Sequence, residues 1–362
     1  MRVNAIDIIK GIAIIMIVNV HLVGGQFFSI GSTFHVIAFF FTAGLIHGLT
    51  EKWNTISIWS FAKQKAKRLM YPFLTLSLCY IILHSIISFF RGDAIINDVF
   101  IDTIIKTVTL RGVGTLWFLP ILFCGEILFF VAKKYKIPSW VIIVIGLATI
   151  FLSSYLNYKG VCGLRWYGDN SMYGIVVNNP LTLVLSSIIA AMYISIGFLI
   201  YKSFSFLFVP TKWKTGDGCF AIFLCLASVL IDIAFIDHFS GDLHKLNIGN
   251  PIYYIICSIS GLVFVGSLSL IIEQYFRRLS SLLQFFGKNS LIIMTTHTEY
   301  YINSVAFIAL SSLFAMLGFS VGNKILSGLS LCLIMLIEVF VVFIINNTFL
   351  KYLYSVPKMN NK

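Results

Sequence analysis

Apolar segments as long as a bilayer is thick recur along the whole chain. A helix that rises 1.5 Å per residue needs roughly 20 apolar residues to cross a hydrocarbon core about 30 Å thick. Backbone in lipid must satisfy its own hydrogen bonds, so segments of this kind are helices. We therefore predict an all-α fold, a polytopic membrane helical bundle of about ten transmembrane helices in a single domain over residues 1–362. The predicted spans are 5–23, 33–50, 70–90, 114–132, 138–156, 180–201, 218–236, 252–274, 289–312 and 325–349.

The composition excludes an ordinary soluble fold. Of the 362 residues 59% are hydrophobic and 11% charged, whereas a soluble domain carries about 25% charged residues. The net charge of +12 would suggest a nucleic-acid ligand in a soluble protein. Here the basic residues fall in short clusters between apolar segments, which is the way topology is encoded in membrane proteins. We therefore expect membrane lipid, and no nucleic acid, as a partner.

The distribution of basic residues predicts the orientation in the membrane. The N-terminus, Lys10 and alternate connections (51–68, 133–136, 202–217, 275–288 and 351–362) contain 19 of the 26 Lys and Arg residues. Loops rich in Lys and Arg remain in the cytoplasm. We therefore expect both termini to be cytoplasmic, as an even number of spans also requires, in a multi-pass protein of a bacterial inner or plasma membrane.

One of these connections, residues 51–69, carries a basic cluster. It contains Lys63, Lys65, Lys67 and Arg68. One interpretation is an ordinary cytoplasmic loop that also touches anionic lipid. The other is a site for a polyanionic cytoplasmic ligand, and the sequence alone does not choose between the two.

The cysteines indicate neither disulfides nor a metal site. There are seven, at positions 79, 124, 162, 219, 225, 257 and 332, and no pair has CxxC spacing. Disulfide frameworks and zinc sites normally show such close, regular spacing. We expect free thiols and no bound metal.

Ionisable side chains inside the spans are the candidate functional residues, because such groups are costly in hydrocarbon. They are Asp7, Lys10, His21, His35, His47, His84, Glu126, Asp232, His297, Glu299 and Glu338. Aromatic residues in the far-side connections are a second set: Trp166, Tyr167, Tyr173, His238 and His244. Aromatic residues at this depth are usually interface anchors, and they can also stack on sugar rings.

Lys10 and His21 are eleven residues apart, which is close to three helical turns. Both side chains therefore lie on one face of the first span, separated by about 16 Å of rise. This face is a candidate wall of a polar shaft. The alternative is that Lys10 reaches the inner headgroups and His21 the outer interface. His35 begins the next span, and we expect it to lie within reach of His21.

His297 falls within the ninth predicted span, near mid-membrane. Its neighbours Thr295, Thr296, Thr298 and Glu299 make the segment unusually polar. A lone buried histidine is often a hydrogen-bonded packing residue. The polarity of the segment favours a position facing a cavity rather than lipid.

Five segments resemble one known family. The first is Ile6-Asp7-Ile8-Ile9-Lys10-Gly11, followed by His21 eleven positions after the lysine. It is similar to the opening of the membrane-bound acyltransferase family 3, and its Asp-x-x-Lys-Gly form resembles the fucose 4-O-acetylase-like branch. The others, in the order of the family, are Phe34–Gly44, Arg68-Leu69-Met70-Tyr71-Pro72, Leu116-Trp117-Phe118-Leu119-Pro120, and Gly287-Lys288-Asn289-Ser290-Leu291 before His297. The chain departs from the branch at Val36-Ile37-Ala38, which replaces Met-Pro-Leu, and at Ala43, which replaces Ser.

The resemblance implies an O-acetyltransferase. Acetyl-CoA would be the acyl donor, and a hydroxyl of a cell-surface polysaccharide or its lipid-linked sugar precursor would be the acceptor. Lys10, Lys67 and Arg68 would bind the phosphates of the donor. His21 would be the general base, with His35 orienting it or sharing the task, and a covalent acyl-histidine is the less favoured variant. Trp117 and Phe118 would form an apolar floor for the acceptor, and His297 would line the shaft.

Two other functions compete with this one. A transporter or flippase for glycan or lipid-linked sugar would also have about ten spans and intramembrane acids. Against it, the sequence shows no paired Gly- or Pro-broken spans in matching halves, which often mark the binding site of a carrier. A non-catalytic partner in a glycan assembly complex would not need His21.

Overall fold

The structure, a computed structural model, describes residues 3–91, 96–162, 171–208, 213, 215–298, 302–319 and 322–356. Trp166, Tyr167, Glu299 and the side chain of His84 lie outside this description. The helices are α1 Asn4–Val20, α2 Gly31–Phe34, α3 Ile37–Thr50, α4 Ile58–Lys65, α5 Tyr71–Arg91, α6 Ile96–Val108, α7 Phe118–Lys134, α8 Ser139–Tyr158, α9 Asn179–Phe204, α10 Thr215–Phe235, α11 Pro251–Tyr275, α12 Arg277–Lys288, α13 Ser290–Thr296, α14 Ile302–Met316, α15 Asn323–Asn347 and α16 Lys351–Tyr354. A two-residue hairpin pairs β1 Gly241–Asp242 with β2 Asn247–Ile248.

Seven helices among the described residues are long and apolar enough to cross a membrane. They are Ile58–Leu83, Gly114–Lys134, Ser139–Tyr158, Gly174–Phe208, Gly216–His238, Pro251–Tyr275 and Asn323–Asn347. This architecture fits the predicted helical bundle, and each of the seven overlaps one predicted span. The cytoplasmic location of both termini remains a prediction.

The other three predicted spans are short or interrupted. Span 5–23 is a helix of 17 residues that ends before His21. Span 33–50 breaks at His35, between α2 and α3, and span 289–312 breaks after α13, at His297. The prediction of two uninterrupted helices at 33–50 and 289–312 was therefore wrong, and the total of ten spans remains a prediction.

At both interruptions a histidine ring bonds to the backbone of the preceding turn. Nδ1 of His35 is 3.1 Å from the carbonyl oxygens of Gly31 and Ser32. Nδ1 of His297 is 2.7 Å from the carbonyl oxygen of Ile293. The carbonyl oxygens of Gly31 and Ile293 also accept from the backbone amides of His35 and His297, at 3.1 and 3.2 Å, so each of these histidines bonds to the preceding turn through both its amide and its ring.

The predicted connection 51–69 is largely helical instead. The Ser57 hydroxyl accepts from the amide of Ser60 at 3.2 Å and caps α4. The helix then continues through a π-helical turn, Ala66–Met70, into α5. Pro72 lies in the first turn of α5 and has no N–H for the preceding turn, a common cause of such irregularities. The basic cluster therefore lies on a helix and not in a loop.

The chain forms two compact units, each built from discontinuous segments, and the single domain over residues 1–362 stays a prediction. The first unit comprises Met1–Leu49, Gly197–Phe239 and Ile252–Asn347, and the second comprises Thr50–Ile196, Ser240–Pro251 and Thr348–Lys362. The first unit contains the three interrupted or short spans.

In the first unit, α1 and α12 pack unusually closely. A Cβ atom added at Gly11 would lie 2.8 Å from the carbonyl carbon of Leu283. A Cβ added at Gly287 would lie 2.8 Å from the carbonyl carbon of Asp7. Glycine at both positions lets the two backbones touch. This contact fixes the helix that leads to His21.

In the second unit, the β1–β2 hairpin segment is tied to two long helices. Ser154 and Asn157 of α8 donate to the carbonyl oxygens of Gly249 and Leu246, at 2.7 and 2.5 Å. Ser186 of α9 donates to the carbonyl oxygen of Leu243 at 3.1 Å. These bonds satisfy backbone acceptors that the short hairpin leaves unpaired.

Candidate active site

His21 lies immediately after the last residue of α1. Its Nδ1 is 2.9 Å from the carbonyl oxygen of Ile17, one turn earlier. The residue is exposed, in contrast to the buried α1 residues Ile17, Val18 and Asn19 that precede it. The end of α1 therefore presents a histidine ring whose orientation is set by its own helix.

The structure places His297 against His21, although the two are far apart in the sequence. Nε2 of His297 is 3.2 Å from Nδ1 of His21. The ring centroids are 5.2 Å apart and the planes are inclined by 45°. His297 is 0% exposed. The pair thus combines one accessible ring with one that is fully enclosed.

The hydrogen bonds determine which nitrogen of each ring carries the proton. A backbone carbonyl only accepts, so the nitrogen that bonds to it must donate. Nδ1 of His297 therefore carries a hydrogen for Ile293, and its Nε2 is an acceptor. Nδ1 of His21 carries a hydrogen shared between Ile17 and His297 Nε2. In the neutral ring, the lone pair of His21 is consequently on Nε2.

Two asparagines hold the backbone around His21. Asn19 is 0% exposed. Its Oδ1 accepts from the amides of Phe27 and Phe28, both at 2.9 Å, and its Nδ2 donates to the carbonyl of Phe28 at 2.8 Å. Asn303 of α14 donates through Nδ2 to the carbonyl oxygen of His21 at 3.1 Å. The amide of Asn19, bonded through both its oxygen and its nitrogen, rigidifies its surroundings, whereas Oδ1 of Asn303 is buried without a hydrogen-bond partner among the described residues.

Thr296, which precedes His297, connects the pair to α15. Its Oγ1 is 2.7 Å from Oε2 of Glu338. Thr296 is 3% and Glu338 0% exposed. In the first unit, two hydrogen-bonded pairs therefore adjoin in the sequence: Glu338 with Thr296, and His297 with His21.

The family to which the chain belongs follows from its match to known sequences. The family model described as an acyltransferase domain matches residues 3–347, nearly the whole chain and both compact units. The chain belongs to acyltransferase family 3. Together with the seven apolar helices, this makes the protein a multi-pass membrane acyltransferase. No curated protein matches the chain.

In this acyltransferase the other predicted site residues lie as follows. His35 is half-buried at the break between α2 and α3, with its Nδ1 on the carbonyls of Gly31 and Ser32. The neighbouring ring that the structure gives His21 is that of His297. The predicted approach of His35 to His21 remains a prediction.

The predicted donor-binding residues lie in different units. Lys10 is half-buried on α1 in the first unit. Lys67 and Arg68 are exposed on the π-helical turn in the second unit. Lys65, from the same basic cluster, instead forms an ion pair with the buried Glu126 of α7.

Trp117 and Phe118 lie in the second unit, where a 3-10 turn leads into α7. Trp117 is half-buried and stacks on His244, with ring centroids 4.8 Å apart and an angle of 5° between the planes. Phe118 is buried. His244 is one of the far-side aromatic residues, so it contributes to the same ring cluster as Trp117.

Sequence reasoning did not single out Asn19 or Asn303 as parts of the site. Each is an uncharged amide in an apolar helix, where an unsatisfied polar group is expensive. A search for amides as well as charges in the spans would have found both. Thr296 and Glu338 were noted as polar, but nothing in the sequence indicated that they meet.

Proposed function

We propose that this acyltransferase transfers an acetyl group from acetyl-CoA to a hydroxyl of a cell-surface polysaccharide or of its lipid-linked sugar precursor. His21 is the general base in this proposal. The observation that carries it is the histidine pair, in which an exposed ring has its basic Nε2 fixed by a fully buried partner. The resemblance to the fucose 4-O-acetylase-like branch supports a sugar acceptor in a bacterial inner or plasma membrane.

The arrangement suits proton removal from a sugar hydroxyl. Such a hydroxyl is a poor nucleophile near neutral pH and needs a base within about 3 Å. When Nε2 of His21 takes this proton, the oxygen attacks the thioester carbon and the bond from carbon to the sulfur of coenzyme A breaks. The proton then passes from His21 to the thiolate, which leaves as the thiol. His21 ends the cycle neutral.

The contacts of His21 favour its charged intermediate. Its Nδ1–H points to the carbonyl of Ile17 and to Nε2 of His297. Hydrogen bonds from a charged donor are roughly twice as strong as neutral ones. Both acceptors therefore stabilise the imidazolium more than the neutral ring. His35, whose Nδ1 is similarly engaged, would offer Nε2 to orient the hydroxyl or share the proton.

Charge and aromatic surface support the assignment of the two substrates. Lys10 is half-buried, and Lys67 and Arg68 are exposed cations suited to the phosphates of acetyl-CoA. The half-buried Trp117 supplies apolar ring surface of the kind that stacks on a sugar, and the buried Phe118 packs edge-on against Trp117 in the proposed floor. No step of the proposed chemistry uses a metal.

The experiment compares surface glycans from cells with the native protein, the His21→Ala variant and no protein. Mass spectrometry identifies the acylated sugar, its position and the acyl group. We expect O-acetyl groups only with the native protein, since loss of a general base lowers rates by about 10²- to 10⁴-fold. Lys324→Ala, which alters an exposed residue of the first unit that the proposal does not use, is the control and should leave acetylation unchanged. Full acetylation with His21→Ala would end the proposal.

A carrier or flippase is a second candidate, and one observation favours it. The interrupted helices α2–α3 and α13–α14 resemble the discontinuous spans that form binding sites in transporters. Both breaks fall at histidines, and the absence of paired Gly- or Pro-broken spans from the sequence still argues against a carrier. Labelled acetyl-CoA separates the two, because a carrier would transfer no label to glycan.

A further inference from the structure

The carboxyl group of Glu338 lies next to the histidine pair and is not part of the proposed chemistry. It is 0% exposed on α15. Its Oε2 is 2.7 Å from Oγ1 of Thr296, the residue before His297. Its Oε1 is buried and has no hydrogen-bond partner among the residues that the structure describes.

The hydroxyl of Thr296 determines the direction of these hydrogen bonds. Besides Glu338, Oγ1 is 2.9 Å from the carbonyl oxygen of Ile292. A hydroxyl has one hydrogen to donate, and a backbone carbonyl can only accept. Both contacts are hydrogen bonds if Thr296 donates to Ile292 and accepts from Glu338. Oε2 of Glu338 must then carry a proton.

The surroundings of Glu338 point to the same state. No cation forms an ion pair with it among the described residues. An ionised carboxylate that is fully buried, with one oxygen unpartnered and no cation, is very costly. A neutral acid leaves a single carbonyl oxygen without a donor, which costs far less.

We propose that Glu338 is a neutral carboxylic acid that acts as a positioning residue for the histidine pair. Its proton bonds to Thr296, and Thr296 bonds to the carbonyl one turn back. This chain fixes the last turn of α13, from which His297 reaches His21. The role in activity rests on the proposed function of His21, whereas the protonation state does not.

A second buried carboxyl in the first unit has the same arrangement. Asp232 of α10 is 0% exposed, and its Oδ1 contacts the hydroxyl of Ser260 on α11. That hydroxyl is also 3.2 Å from the carbonyl oxygen of Cys257. Within the described part of the chain, Oδ2 of Asp232 has no hydrogen-bond partner. Asp232 therefore provides a matched comparison away from the histidine pair.

Infrared spectroscopy tests the protonation state directly. The purified protein in lipid at neutral pH is compared with Glu338→Gln and Asp232→Asn, since the C=O stretch of a protonated carboxyl differs from that of a carboxylate. We expect each variant to lose a component of the protonated band. If Glu338→Gln instead loses intensity from the carboxylate band, the proposal is overturned.

Transfer activity tests the positioning role. The amide of Glu338→Gln can donate to Thr296 as the acid does, so we expect kcat within about twofold of native. Glu338→Leu removes the donor and should lower kcat about tenfold, equivalent to about 1.4 kcal/mol, with the KM for acetyl-CoA unchanged. Asp232→Asn should keep native kcat.

Two activity results would overturn the proposal. If Glu338→Gln lowered kcat as much as Glu338→Leu does, Glu338 would have to exchange its proton during catalysis. If Glu338→Leu kept full activity, Glu338 would not position the histidine pair. If Glu338→Leu does not fold, the activity and the infrared spectrum of Glu338→Gln still test the proposal. If His21→Ala were fully active, the proposed function would fail. The infrared result would still establish the protonation state of Glu338.

Discussion

The close crossing of α1 and α12 predicts that Gly287→Ala destabilises the protein. The added Cβ would lie 2.8 Å from the carbonyl carbon of Asp7, whereas carbon atoms pack at about 3.5–4.0 Å. The carbonyl oxygen of Asp7 would be nearer still, so one backbone must move by more than about 1 Å. Overpacking of this kind costs about 1–3 kcal/mol, and the higher helix propensity of alanine returns at most about 1 kcal/mol.

Gly266→Ala is the matched control, because it makes the same chemical change within a helix of the same unit. Apart from its chain neighbours and the backbone of its own helix, no atom of the described residues lies within 4 Å of a Cβ added there. It should be neutral or stabilise the protein by up to about 1 kcal/mol. Unfolding of the purified variants in detergent, followed by tryptophan fluorescence, measures both. If Gly287→Ala proved as stable as Gly266→Ala, the account of this helix crossing would be refuted.

Three further predictions follow from the contacts described. His297→Leu should lower kcat about 10- to 100-fold, because it removes the acceptor of the His21 Nδ1–H. His297→Gln should retain more activity, because its amide oxygen can accept. Equal kcat values for the two variants would contradict this. Glu126→Gln should destabilise the protein by about 3–5 kcal/mol in detergent unfolding, because it leaves Lys65 as a largely buried charge without its ion-pair partner. Adding Lys65→Met should recover part of the lost free energy of unfolding. Burial raises the pKa of the Cys162 thiol to about 11, so its thiolate, the reactive form, is scarce at neutral pH. In variants that keep a single cysteine, Cys162 should react with maleimide more slowly than the exposed Cys219. The rate for Cys162 should rise about tenfold per pH unit towards pH 11. Equal rates for the two cysteines at neutral pH would contradict this.

The long helices could be predicted because hydropathy alone determines where an apolar chain spans lipid. The start of the helix at Ile58 was missed because the basic cluster lowers hydropathy there, although Ser57 is a recognisable N-cap. The breaks at His35 and His297 were missed for a different reason. Apolar residues continue on both sides of each, and it is a bond from the ring to the backbone that accompanies the break.

The site was only partly predictable. His21 and His297 stand out as costly residues in apolar segments, and their types suggest proton transfer. Their contact joins positions 276 residues apart, and no periodicity carries such information. The same holds for the bond from Asn303 to the carbonyl of His21. Which side chains meet depends on how α1, α13 and α14 pack.

Chemical rescue of a His21→Ala protein tests the general-base role most directly. The purified protein is reconstituted in lipid vesicles with labelled acetyl-CoA and the glycan acceptor, with and without imidazole. We expect almost no labelled glycan from the variant alone and partial recovery when imidazole fills the space left by the ring. Native rates without imidazole would contradict the claim that His21 removes the proton from the acceptor.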